Sequence, residues 1–163
     1  MNNTAIDTTL VEQLVLDAQQ SPRFRSHYSL HQSHQDPLQR LLIAMEPESY
    51  VRPHWHHSPA KDESILILQG QGAAVLFDPN GQVSAVHGLS LSKKCFGVDI
   101  GAGQYHSLIA FEPSTVFFEC KSGPYQPTKP SDFASWAPPE GDSLVKEFSA
   151  SLVAQVKQIL GWG

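Results

Sequence analysis

The chain has 163 residues, 40% of them apolar and 17% charged, enough apolar material for one core and far from the composition of a disordered segment. Its formal net charge of −5 at pH 7 lacks the basic excess on which general nucleic-acid binding and attraction to an anionic membrane rest. The opening residues Met1 to Thr9 carry neither a basic n-region nor an apolar h-region, and no apolar run reaches the roughly 18 residues of a membrane span, so a cytoplasmic chain is expected.

Thr9 to Gln20 places Leu10, Leu14 and Ala18 on one stripe with Val11 and Val15 beside it, and Thr9 with Glu12 forms a capping-box pattern. This predicts an amphipathic helix over 9–20, ended by Pro22, whose ring disfavours helical geometry in Ser21. All the arginines, Arg23, Arg25, Arg40 and Arg52, then fall in a segment that also holds His27, His31 and His34 and runs into His54, His56 and His57. The cluster reads either as a solvated basic stretch or as an edge that recognises anions.

From Gln39 to Lys121 the grammar changes to short runs of Ile, Leu, Val and Phe separated by turn residues, over 40–45, 50–54, 64–69, 73–77, 82–87, 95–100, 106–111 and 115–121. Asn80-Gly81 marks a tight hairpin, and strands at this spacing predict a sandwich or barrel. Ile65-Leu66-Ile67-Leu68 is apolar on both faces, so a second sheet must cover one face and a helix or partner subunit the other; a homodimer is expected on that ground. Cys95 and Cys120 sit in apolar runs, where a buried, inert thiol is the usual role. Residues 123–142 are rich in proline and read as an ordered loop wrapping the barrel, and Val145, Phe148, Leu152, Val156 and Ile159 predict a second amphipathic helix over 143–160. The whole chain, 1–163, reads as one mainly β domain with its barrel core over 27–122 and a helix at each end.

His54 and His56 lie two apart, and on a strand that spacing puts both imidazoles on one face. Glu63 opens an otherwise apolar strand, where period-two alternation turns it inward with Ile65 and Ile67. An inward carboxylate needs a positive partner, and a divalent metal would supply one. Much later, the glycine turn Gly101-Ala102-Gly103 delivers His106 at the start of a strand, sharing a face with Leu108 and Ala110. A His-x-His pair alone is often solvated; with Glu63 and His106 it becomes a set of ligands for one metal ion.

These residues, in order and spacing, resemble the cupin superfamily: His54-Trp55-His56, then Glu63, six residues and Gly70, with Gly101-Ala102-Gly103-Gln104-Tyr105-His106 as the second motif. Six residues separate His56 from Glu63 where the family has three or four. Ser21-Pro22-Arg23, Leu30-His31, Gln39-Arg40, Met45-Glu46-Pro47, Arg52-Pro53-His54 and Gly123-Pro124-Tyr125 are further similar to the WbuC-type cupin fold metalloproteins, over 21–136. The resemblance implies a single cupin (jelly-roll) β-barrel holding one divalent metal at His54, His56, Glu63 and His106. It also implies a bacterial cytosolic setting among surface-polysaccharide (O-antigen type) genes.

Mixed imidazole and carboxylate ligands suit zinc, iron, nickel or manganese, and leave positions open for a small-molecule substrate. The expected activity is that of a metalloenzyme acting on an anionic sugar or sugar nucleotide, as an isomerase, epimerase or lyase. Arg40, Arg52, Tyr105 and Lys121 are the candidates to hold its phosphate or carboxylate, and His31 joins them through the resemblance. An Fe(II)-dependent dioxygenase and a non-catalytic sugar- or metal-binding protein are the alternatives.

Overall fold

The computed structural model describes residues 3–56 and 60–162. Asp7 begins the first helix, its Oδ1 accepting from the Leu10 amide at 3.0 Å, so α1 runs Thr8–Gln20 with Asp7 rather than Thr9 as its cap. Eight strands follow: β1 (Arg25–Ser29), β2 (Leu38–Met45), β3 (Glu63–Gln69), β4 (Gln71–Phe77), β5 (Val83–Ser90), β6 (Gly97–Ile100), β7 (Tyr105–Ala110) and β8 (Thr115–Ser122). Helix α2 (Val145–Leu160) ends at Gly161, which takes the left-handed conformation common at a helix C-terminus. No described helix is long and apolar enough to cross a membrane.

The strands pair antiparallel as a five-stranded sheet, β1-β2-β8-β3-β6, and a three-stranded sheet, β5-β4-β7. Where a barrel was expected, the described strands form two facing sheets without a ladder joining them. Ile43, Met45, Ile65, Ile67, Leu108 and Phe117 fill the space between the sheets. Alternation along β2 and β8 sends Leu42, Ala44 and Val116 the other way, onto Leu14, Val15 and Ala18 of α1. Leu152 and Val156 of α2 pack on Ala73, Val75 and Ile109 behind the smaller sheet. Each sheet therefore has an outer face covered by a helix of the same chain. Of the two covers expected for the outer face, a helix or a partner subunit, the helix supplies much of it, while Leu66 and Phe96 stay 45% and 55% exposed at the β3 and β6 side.

The chain crosses between sheets at Gly70, where φ is +78° and a Cβ would lie 2.5 Å from Thr115 Oγ1. Both the left-handed backbone and the close approach require glycine there. Gly70→Ala is expected to cost more than about 1 kcal/mol in urea unfolding; an unchanged midpoint would show that the crossing tolerates a side chain.

Two elements differ from expectation. Residues 25–29 form an edge strand whose inner face is Arg25, His27 and Ser29, too polar to be recognised as a strand from its pattern. Residues 50–54 do not form one: Pro53 has no amide hydrogen to give a ladder, and the backbone pairing of the segment is limited to isolated bridges from His54 to His106 and Phe133.

Candidate metal centre

The segment carrying the first motif is docked against the strand carrying the second. His54 N donates to His106 O at 3.1 Å and His106 N to His54 O at 2.9 Å, setting the two residues side by side. The glycine turn before β7 joins in, with Gly103 N donating to His56 O at 3.1 Å. Ring centroids are consequently 4.5 Å apart for His54 and His106, 5.1 Å for His54 and His56, and 5.4 Å for His56 and His106.

Ligand nitrogens of all three rings lie within 4.8 Å of one another, a spacing one ion can bridge. Glu63 enters from β3, its Oε1 2.6 Å from His106 Nε2 and its Oε2 3.4 Å from His56 Nε2, with only 3% of its side chain exposed. Backbone carbonyls orient two rings: His54 Nδ1 donates to Arg52 O at 3.0 Å and His106 Nδ1 to Gln104 O at 2.8 Å. A carbonyl can only accept, so in each ring the proton sits on Nδ1 and the Nε2 lone pair is directed away from it.

The buried Nε2 atoms of His56 and His106 face the Glu63 carboxylate at 3.4 Å and 2.6 Å, and a nitrogen lone pair against a carboxylate oxygen is costly unless a cation lies beside them. Three imidazole nitrogens and a carboxylate oxygen that converge in this way fit a divalent first-row metal. Burial pushes His54 down to about 3, with His106 adding to the shift, which keeps its ring neutral as a ligand must be. Burial alone would raise Glu63, but His106, His56 and Lys121 outweigh it and hold its carboxyl well below the usual range.

Above this cluster opens a cavity of about 430 Å³, large enough for a small metabolite. Leu41, Ile43, Ile65 and Leu108 give it an apolar floor. Its charged lining sets Arg23, Arg25, Arg52 and Lys121 against Glu63, Glu119 and Glu140. Lys121 is paired to Glu119 at 2.7 Å and lies 3.8 Å from Glu63. Burial, followed by the charges of Arg25, Arg23 and Lys121, lowers His27, so its ring is neutral in this cationic wall.

Of the residues expected to hold a substrate, Arg52, Lys121 and His31 line the cavity. Arg52 donates to Ala134 O at 2.9 Å and lies over the Phe133 ring, and His31 is buried with Nδ1 held at the Arg40 backbone. Arg40 and Tyr105 are placed elsewhere. Strand alternation turns Arg40 to the outer face of β2, where it is exposed and donates to Leu30 O. Tyr105 precedes His106 and therefore points out of the sandwich, stacked on Trp55 with ring centroids 4.7 Å apart.

Arg23, Arg25 and His27, which the sequence offers only as part of a possible anion-recognising edge, line the cavity, as do Tyr125, Phe133 and Glu140 of the loop 123–142, which the sequence did not single out as site residues. A period-two polar pattern at Arg25, His27 and Ser29 was the available signal. His34 is exposed, lines the cavity and makes a ring contact with Tyr125 at 4.7 Å. His57 lies outside the described residues. Cys95 and Cys120 are unpaired and half-buried.

Glu140 fixes this wall. Arg23 Nε and Nη2 each donate to its carboxylate at 2.7 Å and Arg25 Nη2 at 2.6 Å. Burial would raise Glu140, but Arg23 and Arg25 outweigh it and hold its carboxyl below the usual 4.5. A depressed folded-state value means that the unfolded chain binds more protons, so the contribution to stability is present above about pH 4.5 and is lost as the pH falls through the folded value. Glu140→Gln should therefore flatten the acid limb of the stability curve; an unaltered limb would show that the pairing contributes nothing.

Comparison with solved structures identifies the architecture as the cupin fold. A cupin 2 domain-containing protein from Halorhodospira halophila matches with a TM-score of 0.51 and 16% identity, over 80% of this chain and 81% of its own. A conserved protein of unknown function from Streptococcus pyogenes gives 0.51 and 14%, over 77% and 92%. CapF, in a structure with the inhibitor 3-isopropenyl-tropolone, gives 0.55 and 22% over 66% of this chain, which accounts for 30% of the CapF chain. The chain belongs to the family described as a domain of unknown function, DUF6016, whose model matches residues 6–89. No curated protein matches it.

Proposed function

We propose that this cupin-fold chain is a metal-dependent enzyme that takes an anionic small molecule, a sugar or sugar nucleotide, into the cavity and acts on it as an isomerase, epimerase or lyase. The observation that carries the reading is the convergence of His54, His56, His106 and Glu63 beneath a cavity whose walls hold Arg23, Arg25, Arg52 and Lys121. A divalent ion bound by these four residues would polarise a hydroxyl or carbonyl of the substrate. Arg52 and Lys121 stand where they can meet its anionic part, and the apolar floor excludes water from the reacting end. The similarity to WbuC-type proteins suggests surface-polysaccharide metabolism in a bacterial cytoplasm as the setting. A homodimer, if formed, would use the exposed Leu66 and Phe96 face, and sedimentation would show a mass of two chains.

The test is to load metal-free protein separately with zinc, iron, nickel and manganese and to follow sugar phosphates and sugar nucleotides by NMR, with and without air. Turnover that requires metal and disappears in His106→Ala supports the reading. Oxygen uptake would move the protein to the dioxygenases, and saturable binding without conversion would make it a binding protein. Neither binding nor conversion with any metal would overturn the proposal.

A further inference from the structure

The loop 123–142 meets strand β1 through a single carboxylate held by two guanidinium groups. Arg23 presents its fork to both oxygens of Glu140, while Arg25 reaches the same Oε1. All three residues line the cavity that opens on the histidine cluster. Arg25 does not depend on Glu140 for its position, because Nη1 also donates to Tyr50 O at 2.8 Å and to Ser49 Oγ at 3.3 Å, and its side chain is only 7% exposed. Glu140 is different. Its side chain is 34% exposed, and it is followed by Gly141, with φ +85° and no atom within 4 Å of where a Cβ would stand. Of the pair Arg25 and Glu140, the arginine is held by other contacts and the carboxylate is the more exposed partner.

Nearby, Arg52 brings a third guanidinium to the cavity, and its buried Nε has no hydrogen-bond partner. A buried N–H of a cation left unpaired is costly, and an acceptor entering the cavity would relieve that cost. Planar two-point donation of the kind seen around Glu140 suits a carboxylate.

From this geometry we infer that Arg23 and Arg25 form a carboxylate-binding subsite of the cavity, occupied by Glu140 in the ligand-free chain and vacated when a ligand carboxylate takes its place. The inference rests on the reading of the cavity as a ligand site and adds the ligand class: an anion bearing a carboxylate. It also makes Glu140 an internal competitor. A group tethered on the same chain acts at an effective concentration in the millimolar range, so it weakens the apparent affinity for any free carboxylate that must displace it.

The experiment uses chelator-treated, metal-free full-length protein, so that its outcome is independent of whether the histidines bind metal. Malonate is titrated by calorimetry at constant ionic strength into the wild type, Glu140→Gln, and Glu140→Gln combined with Arg25→Gln, with thermal melts confirming that each is folded. The expected result is at least a tenfold tighter apparent Kd in Glu140→Gln than in the wild type, lost again in the double variant. Should Glu140→Gln fail to fold, Glu140→Asp shortens the reach to Arg23 and Arg25, and malonate should again bind more tightly than to the wild type. Equal or weaker malonate binding on altering Glu140, or tight binding that survives loss of Arg25, overturns the inference. Failure of metal loading with a positive malonate result would sink the metal reading alone.

Discussion

Truncation of Phe117 to alanine is expected to destabilise the fold by about 3–5 kcal/mol. Phe117 has 0% exposure on β8, where Ile43 of β2 and Ile67 of β3 flank it in register. Its ring crosses to the opposite sheet, so that a Cβ on Gly72 of β4 would stand 2.6 Å from Cζ. One side chain thus spans the space between both sheets. Neighbours fixed by hydrogen-bonded ladders relax only partly into the hole left by alanine, which adds a cavity cost to the lost transfer energy. Chemical denaturation reads this directly, and a loss under about 1 kcal/mol would mean that the sheets are not packed through Phe117.

His106→Ala is expected to lower metal affinity by more than about 100-fold while leaving a cooperative fold. Changes to groups that merely orient a ligand already cost about 10–100-fold, and here a proposed ligand itself is removed. The substitution takes away the imidazole supplied by β7 and leaves Glu63 without the nitrogen 2.6 Å from its Oε1. The backbone bridge between positions 54 and 106 does not need the imidazole, and the apolar core between the sheets lies on other residues. Folding is therefore not tied to the metal as it is in a zinc finger. Elemental analysis after dialysis, with melts of the same samples, separates the two claims; retention of tightly bound metal would contradict the ligand assignment.

The parts of this molecule that were legible in its sequence are those where one face of an element is apolar. Ile65 and Ile67 identified the inward face of β3, and the same alternation carried Glu63 to the cavity. His106 with Leu108 and Ala110 worked in the same way on β7. Strand β1 was illegible for the converse reason: Arg25 and His27 face inward into a polar cavity, so the pattern has the form of a solvated loop. Arg40 and Tyr105 were selected by residue type and proximity to motifs, whereas the parity of their strand positions turns both outward. Glu140 could not be found this way, because its partners Arg23 and Arg25 lie more than a hundred residues earlier and only the folded loop brings them together.

The central claim, a four-ligand metal centre, is tested most directly by anomalous scattering from crystals of the protein loaded with one equivalent of zinc. The account predicts a single peak per chain, within about 2.0–2.2 Å of the Nε2 atoms of His54, His56 and His106 and of a Glu63 oxygen. A peak ligated by other residues, or none at that position, would contradict it.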